Sequence, residues 1–196
     1  MHVPELLRRA AEIIPPSARS DTGLGVNDVR DYLRANEWEL ALGILEDFDG
    51  IQWQTVEFWD LLLAAAQQMT LDSSVAWHQW RKGETIHGII RADLHLTAPD
   101  AGGRRTPVPQ AGQLRPMWAI NDPSPEGAGL HVARIWVEQA HEISPGGQGS
   151  IRLAPLTPAH WRHLVPGDVI TMHERQPVAG TAAITEICRP LPPTSE

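Results

Sequence analysis

The hydrophobic period of this 196-residue chain changes once, close to residue 83, and that change limits what the chain can fold into. Before it, apolar residues recur at three and four, the spacing of one helix face. Leu6, Leu7, Ala10, Ile13 and Ile14 form the first stripe, opened by Pro4 and closed by Pro15 and Pro16. Asn27 is expected to cap a second helix carrying Val29, Tyr32 and Leu33. Asn36 is expected to cap a third, with Trp38, Ala41, Leu42, Leu45 and Phe48 on its apolar side. After a turn at 47–50, Thr55 opens a fourth, with Phe58, Leu62, Ala65 and Met69 on one face. Asp72 opens a short fifth helix holding Trp77 and Trp80, and Gly83 is placed just past its end.

From Glu84 the pattern alternates. Ile86, Gly88, Ile90, Ala92, Leu94 and Leu96 interleave with His87, Ile89, Arg91, Asp93 and His95, which is strand period. Further strands are expected at Pro116–Ile120, Leu130–Ala140, Ser150–Leu153, Asp168–His173 and Thr181–Ile187, separated by Gly- and Pro-rich turns. No long helical segment interrupts this half, which argues against a parallel sheet with crossover helices. The reading is α+β: a small helical bundle over 1–82 packed beside an antiparallel β-barrel over 84–188, with a flexible tail at 189–196.

Composition excludes several kinds of chemistry. Sixteen basic residues face twenty-four acidic ones, a net charge of -8, and Lys82 is the only lysine. Residues 1–82 carry seven basic and thirteen acidic side chains, a net of -6, so the charge sits mainly on the helical half. A phosphate-cradling GxxxxGK[ST] loop needs a lysine among glycines, and Lys82, in WHQWRKGE, has no such neighbours. Gly23-Leu-Gly25 is too short for a phosphate cradle and reads as a turn. No nucleotide and no cofactor are expected. Cys188 is the only cysteine, so no internal disulfide or thiolate cluster can form, and it is expected to pack as a small apolar group. The first residues carry their arginines inside the apolar stretch, so no signal peptide is expected. The longest apolar run, Leu61 to Ala66, is far short of the roughly 20 residues that span a bilayer. A cytoplasmic protein without membrane contact is expected.

Short motifs in the strand half occur in a telling order. Arg91-Ala-Asp-Leu-His-Leu96 is followed by Gly102-Gly-Arg-Arg-Thr-Pro107 and then Leu114-Arg-Pro-Met-Trp118. Pro166-Gly-Asp168 and Gly180-Thr-Ala-Ala-Ile-Thr-Glu-Ile187 come later. In this order they resemble the C-terminal β-barrel of elongation factor Tu, across roughly residues 84–188. The sequence departs from that family at Ala182, where the family has glycine, and in Gly/Pro loops at 121–129 and 144–149. The resemblance does not imply GTPase activity, because the nucleotide motifs are missing. The motifs read as structural. Gly102 and Gly103 permit positive φ in a tight loop, Arg104 or Arg105 can fold back onto carbonyls or a carboxylate, and Pro116 suits the first residue of a strand. The string Val26-Asn-Asp-Val-Arg-Asp-Tyr-Leu-Arg-Ala-Asn-Glu-Trp-Glu-Leu-Ala-Leu-Gly-Ile-Leu45 is similar to the acidic helix pair of small bacterial immunity proteins, which bind and neutralise a cognate toxin.

No catalytic constellation stands out. There is no G-x-S-x-G elbow. His160 and His163 lie three apart in HWRH, with His131, His141 and His173 elsewhere, but no carboxylate at a telling spacing completes a zinc set. A single helical turn at Pro158–Leu164, with Trp161 on the barrel and both histidines exposed, explains them better. The expected function is therefore non-catalytic protein binding, with toxin neutralisation its sharpest form. The alternatives are a translation-associated module touching tRNA, the ribosome or a translation factor, and an unrecognised enzyme. Nucleic acid is disfavoured by the charge of -8. Glu46, Asp47 and Asp49 are the candidate contacts to a basic partner, beside Asp28, Asp31, Glu37 and Glu39 in an acidic run. Trp53 is a candidate interface tryptophan in the polar link IQWQT. Arg104, Arg105 and Arg115, with Arg134, are the candidate basic patch on the barrel.

Overall fold

Five helices form where apolar residues recur at three and four: α1 (Val3–Ile13), α2 (Val26–Arg34), α3 (Trp38–Glu46), α4 (Val56–Gln68) and α5 (Asp72–His87). The computed structural model describes residues 2–48, 53–121, 129–174 and 178–189. Asp49, the tip of the turn at 47–50 and residues 190–196 lie outside the described residues. The chain divides into two compact units, Met1–Ile86 and His87–Pro190.

In the helical unit α1 packs on α4, and α2 on α3. Leu7, Ala10, Val29, Leu42, Leu45, Phe58, Leu62 and Ala65 are fully buried in one shared core. Thr55 caps α4 as the sequence suggests, its hydroxyl accepting from the Phe58 N–H at 3.1 Å. Two other caps differ. Asn27 lies inside α2, which is capped at Gly25; there the Asp28 carboxylate reaches back to the Gly25 N–H at 2.7 Å. Asn36 has φ +61° and sits one residue ahead of the α3 cap, Glu37. Its left-handed backbone, which asparagine tolerates better than most residues, turns the chain between the two helices.

Gly83 does not end α5. The helix runs on because side chains tie across that point: Trp80 Nε1 donates to Glu84 Oε1 at 2.8 Å and Thr85 Oγ1 to the Arg81 carbonyl at 3.2 Å. Gly88, at φ +92°, follows the end of the helix and supplies the left-handed step. Strand pairing therefore begins at Ile89, not at Glu84.

The strands are β1 (Ile89–Leu96), β2 (Val108–Pro109), β3 (Met117–Ala119), β4 (Leu130–Val137), β5 (Glu142–Ile143), β6 (Gln148–Pro155), β7 (Val169–His173) and β8 (Val178–Cys188). Six close into an antiparallel barrel in the order β1-β6-β4-β3-β7-β8, while β2 and β5 pair separately. Closure removes the open edges that invite aggregation. Alternate residues point inward, so Ala92, Leu94, Ile135, Val137, Ile151, Leu153, Met172 and Ala182 fill the interior with Trp118 and Trp161.

Glycines mark the tight places. Gly102 has φ +91°, while Gly103 is needed for space: a Cβ there would lie 1.8 Å from the Thr97 carbonyl oxygen. Pro166-Gly-Asp168 turns with Gly167 at φ +96°, and the Asp168 carboxylate accepts from the Val165 N–H at 2.8 Å. Arg189 donates to the Arg162 carbonyl at 2.5 Å.

Candidate partner-binding surface

The acidic run does not present its carboxylates alike. Asp28 is occupied at the α2 cap, and Asp31 pairs with Arg34. Glu46 is mostly covered, its carboxylate 2.8 Å from Nε2 of the fully buried His78. The approach is off the hydrogen-bond axis, so this is an electrostatic contact and not an aligned bond. Asp47 is exposed at the C-terminal end of α3. Burial, then Asp21 and Glu46 beside it, raise its pKa above the ordinary aspartate value. Trp53 is half-buried, edge-on to Phe48 at 6.2 Å and Phe58 at 5.1 Å, against the helical core.

A groove of about 560 Å³ opens instead at the start of α3, lined by Asn36, Glu37, Trp38, Glu39, Leu40 and Met69. Trp38 was expected on the core stripe, yet it is 36% exposed, and Leu40 is 54% exposed. Side chains on a helix lean toward its N-terminus, so the first residue of α3 projects past the point where neighbours could cover it. Glu37 and Glu39 are exposed beside it and form no ion pair among the described residues. The N-terminal end of α3 stabilises their negative charge. The arrangement combines an aromatic face, an aliphatic floor and two carboxylates. Sequence reasoning missed it because Trp38 fits the stripe. The signal was Leu40, an apolar residue off the stripe directly after Glu39.

A second cleft, about 300 Å³, is lined by Arg8, Glu12, Arg30, Leu33 and Arg34. Arg8 pairs with Glu5, Arg34 with Asp31, and Arg30 donates to Asn27 at 3.2 Å. Three guanidiniums offset by Glu5, Glu12 and Asp31 leave no net charge to hold an anion.

On the barrel, Arg104 folds back as its loop suggests. It donates to the carbonyls of Thr106 at 2.7 Å and Pro107 at 3.0 Å and pairs with Glu174. Burial lowers its pKa from the ordinary arginine value. Arg105 and Arg115 are exposed. Arg134 is half-buried, its pKa lowered by burial and by the charge of Arg115. Arg91 bridges Glu138 at 2.9 Å and Glu186 at 3.0 Å, and Arg152 also pairs with Glu138. Glu138 thus links Arg91 and Arg152 in one run of charge pairs.

The histidines are not exposed as the sequence suggests. His163 is half-buried, with Nε2 2.7 Å from the Ile120 carbonyl and Nδ1 2.9 Å from that of His160. The half-buried His160 lies 4.7 Å, centre to centre, from the His131 ring. Cys188 does not pack as an apolar group; its thiol donates to Glu186 at 3.0 Å, and that bond, with the one from Arg91, lowers the Glu186 pKa. Among the described residues no three His, Cys, Asp or Glu side chains converge as a metal site would require, and no helix is long and apolar enough to cross a membrane. No family model matches the chain, and no curated protein matches it.

Proposed function

We propose that this chain is a non-catalytic protein-binding protein. Its helical unit is an acidic bundle that engages a basic protein, and its strand unit is an elongation factor Tu-like barrel. A neutralised toxin is the partner that best suits it. The observation that carries the reading is the groove at the start of α3. There exposed Trp38 and Leu40 lie among Asn36, Glu37, Glu39 and Met69, within residues 1–82, whose net charge is -6. Tryptophan anchors protein interfaces more often than other residues do, and unpaired acidic neighbours steer a basic partner toward it. The closed six-stranded barrel, the Arg104 fold-back and the turn at Gly167 support the elongation factor Tu-like reading of the second unit. Arg115 beside Arg134 is the one feature favouring an RNA-contacting module, and Arg104 is already engaged within its own loop.

Site-specific photo-crosslinking in the native cell tests this. A photoreactive residue at Leu40 is expected to capture a basic protein, and one at Arg115 is not. Adducts from position 115 alone, or adducts to RNA, would overturn the reading.

A further inference from the structure

The helical unit already binds one of its own guanidiniums in a characteristic way. Arg81 sits 4.9 Å from the ring centre of Trp59 and 5.2 Å from that of Trp77, with Nε 3.1 Å from the Glu84 carboxylate. Indole faces attract cations, arginine most often, and a flanking carboxylate adds to the attraction. At the start of α3 the indole of Trp38 and the carboxylates of Glu37 and Glu39 recur in the groove with Leu40 and Met69. Among the described residues no cation lies over Trp38, and neither carboxylate forms an ion pair. Residues 1–82 carry a net charge of -6, which favours the approach of a positive ligand.

We infer that this groove is a seat for an arginine side chain of a basic protein segment. The guanidinium stacks on Trp38 between Glu37 and Glu39, and a neighbouring apolar side chain of the same segment covers Leu40 and Met69. The inference rests on the protein-binding reading and names the chemistry of its contact. Citrulline has the shape of arginine without its charge, so the seat must reject it. Leucine at position 38 keeps apolar area but lacks the indole face, so it must weaken the contact while leaving the fold intact.

The test is titration of the full chain, labelled with nitrogen-15, with a blocked peptide of alternating arginine and leucine, following the Trp38 indole resonance. A saturable shift of that resonance is expected. Trp38→Leu, followed through the Leu40 backbone amide, and Glu37→Gln with Glu39→Gln, should each weaken binding roughly tenfold. The citrulline peptide should produce no saturable shift. Equal affinity for the citrulline peptide would overturn the seat. So would unchanged affinity in both variants, or saturation seen only at the other indoles. Circular dichroism confirms that each variant is folded. If a protein crosslinks at position 40 while the peptide test fails, the arginine seat is wrong and the protein-binding reading stands.

Discussion

At Asp47 burial and electrostatics act in the same direction. Burial, then Asp21 and Glu46, raise its pKa, and a carboxylate at a helix C-terminus also meets the negative end of the helix dipole. A raised acid pKa means the folded chain binds more protons than the unfolded chain between the two values. Stability therefore grows as pH falls through that window, and the charged form costs stability at neutral pH. Asp47→Asn should raise the thermal midpoint at pH 7, and the gain should shrink as pH falls toward the ordinary aspartate value. Thermal melts across pH check this; a gain independent of pH would contradict it. Glu46 is the opposite case, because removing it leaves His78 fully buried without its carboxylate. Glu46→Ala should destabilise the helical unit by about 1–3 kcal/mol, measured by urea unfolding. At Gly103 the limit is steric. Gly103→Ala places a carbon 1.8 Å from a backbone oxygen and should cost the barrel about 3 kcal/mol by the same measurement.

Among the elements, α5 offers the clearest test of local propensity against tertiary context. Gly83 lies inside this helix, and a Cβ there would meet nothing within 4 Å. Gly83→Ala should stabilise the helical unit by about 1 kcal/mol, again by urea unfolding; a loss of stability would mean that the glycine is needed for packing. Gly83 also shows where sequence reading stops. Its glycine resembles a helix end, but the pairs Trp80–Glu84 and Arg81–Thr85 carry the helix past it, and such ties depend on side-chain geometry. The stripes of α1 and α4 and the inward residues of β1 were legible because period alone fixes them. The caps at Gly25 and Glu37 were not, because asparagine serves equally as a cap or in a left-handed turn. Trp38 was legible as apolar but not as exposed. Whether a first-turn residue is covered depends on where the neighbouring helices stop.

Across the whole molecule, charge and chemistry divide unequally. Within the barrel Arg91 pairs with Glu138 and Glu186, Arg152 with Glu138, and Arg104 with Glu174. Residues 1–82 hold the larger net charge, -6 against -2 for the remainder. In that unit Glu37, Glu39 and Asp47 are exposed, and the α3 groove offers an apolar contact beside two of them. Long-range attraction to a basic partner should therefore act mainly on the rate of encounter, with the apolar contact governing dissociation. The measurement that bears most directly on this is the association rate of the partner captured at position 40, followed by stopped flow across a salt series. It should be made for the wild type and for the chain carrying Glu37→Gln, Glu39→Gln and Asp47→Asn. The wild-type rate is expected to fall steeply as salt rises, with a slower, flatter response in the variant. A rate that ignores both salt and the three substitutions would contradict the assignment of this acidic surface to partner binding.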